Sequence, residues 1–216
     1  MDATDRSVVL SRKGLKRSEK MTMSKKEVIA KAATKLFAAQ GFERTPVRKI
    51  AEKVDLSVPG MFHYFPSKED ILNEIMIGFM DEGYAKLRTI NKGDKGPLEK
   101  VEGFFNFYVD HYAGNQDLLN ILVSEWKYLS REHRQTFFDK QRGYVDALKK
   151  LFTELAEEGL LKSVDPSVLT FMFFGMVLWT YRWYDPKGKL GLEELGEIFN
   201  EVFLRGALKQ TESRPD

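Results

Sequence analysis

The chain has 216 residues, 43% of them hydrophobic and 31% charged, enough to bury one substantial core or two modest ones. It holds no cysteine, which excludes disulfides and thiolate chemistry and fits a reducing cytoplasm. The net charge of +2 conceals an asymmetry: residues 1–70 carry 15 Lys+Arg against 9 Asp+Glu, and the remainder carries 19 against 23. A basic end on an acidic body is the footprint of a head that neutralises phosphates.

Residues 1–23 are polar and include Arg6, Arg12, Lys13, Lys16, Arg17 and Lys20. They lack the apolar stretch of a secretory signal. They read as a flexible basic arm, either simply solvated or following a DNA backbone. Residues 24–70 read as one DNA-binding domain. Ile29, Ala33, Leu36 and Phe37 mark a helix that Gly41-Phe42 stops. Thr45 is expected to cap the next, with Pro46 at its first position. Val47, Ile50, Ala51 and Val54 recur at i, i+3, i+4 and i+7, which leaves Arg48 and Lys49 on the outer face. Asp55-Leu56-Ser57 makes a turn in which Asp tolerates a left-handed backbone. Ser57 caps a very short helix, Val58 to Tyr64, with Met61 and Phe65 on its apolar side. Ser67-Lys68-Glu69-Asp70 then opens a long helix with a capping pattern, and Lys68 sits there against the helix dipole, where a phosphate would be welcome.

Two short capped helices joined by a turn form a helix-turn-helix. Arg48, Gly60 and His63 are the candidate base readers, and Thr45, Tyr64 and Lys68 the candidate phosphate contacts. Lys49, Ser57 and Pro59 complete the expected surface. The stretch from about 25 to 70 resembles the DNA-binding domain of the tetracycline-repressor (TetR) family of bacterial transcription regulators. It departs from that pattern at Asp55, where the family usually has Gly, and at Phe62, where the family often has a Tyr whose hydroxyl meets a phosphate. The resemblance implies an all-α protein of about nine helices. An N-terminal three-helix head would read a palindromic double-stranded DNA operator. The C-terminal body would bind an effector among its middle helices and pair with a second subunit through its last two.

From Lys68 on, the chain reads as helix throughout. A long helix runs from about 68 to 90 and breaks at 91–97. Further helices are expected at about 98–113, 116–129, 131–158, from Pro166, and at 191–208. The body, 71–210 with a tail at 211–216, is rich in aromatic residues. Phe104, Phe105, Tyr108, Tyr112, Leu122, Trp126, Phe138, Tyr144 and Phe174 are the candidate walls of an apolar cavity. The uncharged run from Pro166 to Tyr181 is shorter than the roughly 20 residues that span a bilayer, so it reads as a buried or subunit-interface helix rather than a membrane segment. Carried over from the family, the dimer surface takes Phe171, Met172, Gly175, Leu178, Trp179, Leu195, Ile198, Phe199 and Val202.

Trp179-Thr180-Tyr181-Arg182-Trp183-Tyr184-Asp185-Pro186 with Gly188 is similar to a pattern of TetR-family regulators of fatty-acid, sterol and aromatic-acid breakdown that respond to acyl-CoA thioesters. Trp179, Arg182 and Trp183 are therefore candidate contacts to a CoA head group. The structural alternative makes the indoles interface anchors and pairs Arg182 with an acid. Arg131, Arg134 and Arg142 are other cations that could hold a polyphosphate. No catalytic constellation appears, and the histidines at 63, 111 and 133 are too scattered for a metal site, so neither metal nor cofactor is expected. The reading is a cytoplasmic homodimeric repressor released from DNA by a small hydrophobic effector such as an acyl-CoA. Its rivals are the same regulator with a planar, drug-like effector, a helical lipid binder whose basic head docks on membrane, and a helical enzyme.

Overall fold

Serine opens four of the nine α-helices found among the described residues, each hydroxyl accepting one of the N–H groups that a first turn leaves without a partner. The computed structural model describes residues 23–92 and 94–209; the proposed basic arm, apart from Met23, and the C-terminal tail lie outside them. In chain order the helices are α1 (Lys25–Gln40), α2 (Val47–Lys53), α3 (Val58–Tyr64), α4 (Lys68–Asn91), α5 (Pro97–Tyr108), α6 (Gln116–Ser124), α7 (Arg131–Glu157), α8 (Pro166–Leu178) and α9 (Leu192–Ala207). An isolated bridge between Leu161 and Leu208 ties the start of the α7–α8 connection to the end of α9. No helix among the described residues is long and apolar enough to cross a membrane.

The head is α1 to α3 with the start of α4. Ile29, Ala33, Phe37, Ile50, Ala51, Met61 and Phe65 are buried together. Asp55 takes φ +55°, so the turn between α2 and α3 does use the left-handed conformation. Thr45 is not the cap of α2: Pro46 holds that position without a side-chain bond, and Thr45 is fully buried. Its hydroxyl donates to the Gly41 carbonyl at 2.7 Å and accepts from Gln40 Nε2 at 3.0 Å, so it closes the loop after α1 instead.

In the body α7 packs against both α5 and α8, α8 meets the turn that follows α5, α9 lies across α5, and the upper half of α4 runs along α5 and α7. Phe104, Phe105, Phe137, Phe152 and Phe173 fill its centre. Two of the expected long helices are interrupted. α5 gives way to a π-helical turn, Val109–Ala113, and α6 ends at Ser124 before a 3-10 turn, Trp126–Tyr128. α6 lies on α1 and so couples body to head.

Candidate DNA-reading helix and apolar cavity

On α3, Met61 and the following Phe65 are buried, while Pro59, Phe62 and His63 are exposed on the opposite side. Ser57 Oγ accepts from Gly60 N at 3.1 Å and fixes the entry of the helix. A Cβ at Gly60 would sit 3.2 Å from that Oγ, so a side chain there would crowd the cap. Tyr64 is half-buried, its ring edge-on to His63 at 5.3 Å. Beside α3, the exposed Arg48 pairs with Glu52 at 3.1 Å, and Lys49 donates to Gln40 Oε1 at 3.2 Å.

Lys68 does not wait for a phosphate. Its Nζ donates to the carbonyls of Phe42 (2.8 Å) and Thr45 (3.0 Å) and lies 4.2 Å over the Phe42 ring. Partial burial lowers its pKa, opposed by nearby Glu43. It ties the first turn of α4 to the loop after α1. Next to it, Glu69 Oε1 accepts from His133 Nδ1 (2.6 Å) and from Ser130 N (3.1 Å), joining the starts of α4 and α7. Sequence spacing left the histidines scattered, yet folding brings Glu69, Asp70 and His133 within 4.8 Å. Hydrogen bonds account for the cluster, since Asp70 also accepts from the Ser67 hydroxyl at 2.7 Å.

In the body, a cavity of about 370 Å³ opens between α4, the α5 turn, α6, α7 and α8. Seven of the expected wall residues line it: Tyr108, Tyr112, Leu122, Trp126, Phe138, Tyr144 and Phe174. Phe104 and Phe105 do not. They face the core, Phe105 stacking on Phe173 at 3.9 Å and meeting Phe203 at 5.0 Å. Gln141 and Phe171, which line the cavity yet are exposed, mark its mouth. Tyr108 stacks on Tyr112 at 4.1 Å, and Tyr144 meets both edge-on. Burial pushes all three hydroxyls up, with neighbouring tyrosines adding to it, so they stay neutral and able to donate. The Tyr144 hydroxyl donates to the Met80 carbonyl of α4 at 2.8 Å.

That bond depends on a missing side chain. A Cβ at Gly83 of α4 would overlap the Tyr144 hydroxyl, and one at Gly143 of α7 would overlap the Tyr84 hydroxyl. The Gly83-Tyr84 and Gly143-Tyr144 pairs thus clasp reciprocally, with the tyrosine rings 4.6 Å apart.

Comparison with known proteins agrees with this architecture. Residues 94–207, more than half of the chain, match the model described as the Tetracyclin repressor-like C-terminal domain, and residues 29–75 match that of bacterial regulatory proteins, tetR family. The chain belongs to the TetR family. It is a DNA-binding regulator and not an enzyme. It is 26% identical over 193 residues to the HTH-type transcriptional repressor KstR2 of Mycobacterium tuberculosis, covering 87% of this chain and 94% of the relative. It is 25% identical over 180 residues to the fatty acid metabolism regulator protein of Bacillus subtilis, covering 82% and 93%. Among solved structures it is similar to AibR in complex with isovaleryl coenzyme A and operator DNA, with TM-score 0.76, 28% identity, and 84% and 99% coverage.

In this TetR-family body the Trp-rich segment stands apart from the cavity. Trp179 and Trp183 are exposed around a 3-10 turn, Trp179–Arg182, and none of Trp179, Arg182 and Trp183 lines the cavity. Arg182 lies over the Tyr181 ring at 5.7 Å instead of between the indoles. Arg134 donates to the carbonyls of Lys127 and Leu129 and covers Trp126, and Arg142 pairs with Asp139 at 3.6 Å; Arg131 is exposed at the start of α7. Of the expected dimer residues, Phe171, Met172, Gly175, Trp179, Ile198 and Val202 are exposed, and Phe199 is half-buried near Trp183. Leu195 is 1% exposed and belongs to the protein's own core. Leu178 is half-buried on the cavity wall. Sequence reading missed Met80, Val123, Phe137, Gln141 and Val145 as lining residues. Gln141, a polar residue one turn from Phe137 and Phe138, was the one with a visible signal.

Proposed function

We propose that the chain is a homodimeric transcriptional repressor, that residues 24–70 grip the operator, and that a CoA thioester with a compact apolar acyl group releases it. The observation that carries the effector reading is the cavity of about 370 Å³, apolar on most sides, with Gln141 at its mouth able to donate to a carbonyl. That volume lies near the low end of small-molecule sites, roughly 300–1,000 Å³, and suits the acyl part while the CoA head stays outside. One structure similar to this chain, that of AibR, holds isovaleryl coenzyme A and operator DNA together, which supports the chemical class of the effector and not the direction of its effect.

The dimer reading rests on α8, which is apolar on both sides. Leu169, Phe173, Phe174 and Val177 face the core, while Val168, Phe171 and Met172 are exposed at i, i+3 and i+4, with Trp179 exposed in the 3-10 turn that follows. Ile198 and Val202 extend it onto α9. An exposed apolar face of that kind calls for a partner, and a second copy would close it symmetrically.

Release then follows from linkage. Two copies of α3 must sit about 34–36 Å apart to enter successive major grooves. α4, about 36 Å long at 1.5 Å per residue, begins at the head and passes the cavity at Met80. A ligand that favours another setting of α4 lowers operator affinity by its differential affinity for the two settings. The test is fluorescence anisotropy on DNA upstream of the chain's own gene, or on sites selected from random DNA, with CoA thioesters of graded acyl size. Release by a narrow range of acyl groups and not by free CoA is expected. Tight DNA binding unmoved by every thioester would overturn the effector reading.

A further inference from the structure

Nine large hydrophobic side chains are exposed among the described residues, and eight of them lie between Leu160 and Val202. The ninth is Phe62, 46% exposed, alone in the head and on the outer face of α3. It cannot turn inward, because Met61 and Phe65 already fill the inner side of this helix at 1% and 3% exposure. It stands one turn after Pro59 and beside His63, and α2 flanks α3 with the exposed cations Arg48 and Lys49. A phenyl ring left outside the hydrophobic core on this face has no polar atom with which to bind a phosphate or a polar base edge.

The major groove offers one apolar group for such a ring, the C5-methyl of thymine, and aromatic contact with it discriminates thymine from every other standard base. We propose that Phe62 is a specificity-determining residue that selects a thymine in each operator half-site through its methyl group. The proposal rests on α3 being the groove-reading helix. Phe62 then supplies shape and apolar contact, His63 the neighbouring polar contact, and Arg48 and Lys49 the charge. A tyrosine at this position would exchange base selection for a phosphate bond. The phenyl ring does the reverse, which makes binding less salt-dependent and more dependent on sequence at one base pair.

The experiment uses the full chain. Binding sites are selected from random duplex DNA, and single thymines in the selected operator are then replaced by uracil, which removes only the methyl. Wild type is expected to lose about fourfold in affinity at one position per half-site, the worth of roughly one buried carbon. Placing 5-methylcytosine opposite guanine there should bind better than unmethylated cytosine. Phe62→Ala should bind the thymine and uracil operators equally at that position, and Phe62→Leu should keep part of the difference. A Phe62→Ala protein with the wild-type thymine-to-uracil ratio at every position overturns the proposal. His63→Ala separates the two levels. If His63→Ala changes the selected sequence while Phe62→Ala leaves the methyl effect intact, only the thymine contact fails. If both variants select the wild-type sequence, α3 does not read the groove and the underlying reading fails with it.

Discussion

Head and body place their candidate functional residues on opposite sides of the burial scale. In the head, the core is complete and the candidates are what is left outside: Arg48, Lys49, Pro59, Phe62 and His63. In the body, the candidates are the residues that almost complete a core: Tyr108, Tyr112 and Tyr144, each under 5% exposed, surround space they do not fill. A DNA reader must present groups outward from a rigid support, whereas a receptor for an apolar molecule must withhold atoms from its own interior. Exposure therefore points to one candidate site and a packing defect to the other. The same contrast divides α8 itself, one side of which builds the core while the other is the proposed contact with a second copy.

The largest test of that contrast strikes the outer face of α8 and α9. Met172→Glu with Val202→Glu places two carboxylates on the proposed interface without touching the core. The double variant should sediment as a folded monomer. It should lose about a hundredfold or more in operator affinity, because each base contact given up with the lost half-site costs about 1–3 kcal/mol. Leu195→Ala sharpens the division, since Leu195 is buried in its own subunit. It should cost about 2–5 kcal/mol of stability and leave the dimer contact intact. A double variant that still sediments as wild type removes the dimer reading.

The Gly-Tyr clasp gives the next test, with its control on the same helix. Gly78 of α4 has nothing within 4 Å of where a Cβ would be, so Gly78→Ala should stabilise by about 0.5–1 kcal/mol. Gly83→Ala makes the same exchange but drives the Tyr144 hydroxyl off the Met80 carbonyl, and it should destabilise by about 1–3 kcal/mol. It should also blunt the response to thioester, because Tyr144 both lines the cavity and holds α4. Equal melting shifts for the two variants would show that the clasp yields freely.

How far these features could be seen in the sequence differs between head and body for the same reason. The helices of the head have periods, caps and a turn residue that act within a few positions, so Ser57, Asp55 and the buried Ile50–Ala51 pair were legible. Lys68 misled, because its dipole environment is local but its partners, the Phe42 and Thr45 carbonyls, lie more than twenty residues away. In the body, aromatic periodicity marked which residues are buried without saying which of them border a void. Phe104 and Phe105 share a face with Tyr108 by spacing, yet only Tyr108 meets the cavity, since Phe173 of α8 covers the other two. The reciprocal glycines, 60 positions apart, have no local signature at all.

Lys68 and Lys49 turn that lesson into a smaller effect. Lys49→Ala should weaken binding to all DNA and reduce the slope of log affinity against log salt by about 1 per half-site, as for a phosphate contact. Lys68→Ala should leave the slope unchanged and lower thermal stability, because its donors are spent on carbonyls of the head. A slope change for Lys68→Ala would return that lysine to the DNA surface.

The smallest effect concerns His111, where α4 meets the π-helical turn after α5. Its ring stacks on Phe79 at 4.0 Å and 9°, and its Nε2 lies 3.1 Å from the Phe79 carbonyl, so the neutral ring donates from Nε2. Burial lowers its pKa from the usual 6.5, and the Phe79 carbonyl and nearby Glu82 and Asp110 offset only part of that. A histidine whose folded pKa is depressed takes up its proton more readily when unfolded. Its contribution is therefore complete above about pH 6.5 and is lost as pH falls below that value, by at most about 1.4 kcal/mol per pH unit. Denaturation of the wild type between pH 7 and pH 5 should show this decline, and His111→Gln, which keeps a donor but cannot titrate, should be flatter over the same range. Because Phe79 precedes Met80, acid should also loosen the stretch of α4 beside the cavity, and hydrogen exchange of the Gly78–Gly83 amides at pH 5.5 should rise in wild type and not in His111→Gln. Parallel pH profiles for the two proteins would assign the acid sensitivity to other groups and leave α4 held chiefly by the Gly-Tyr clasp.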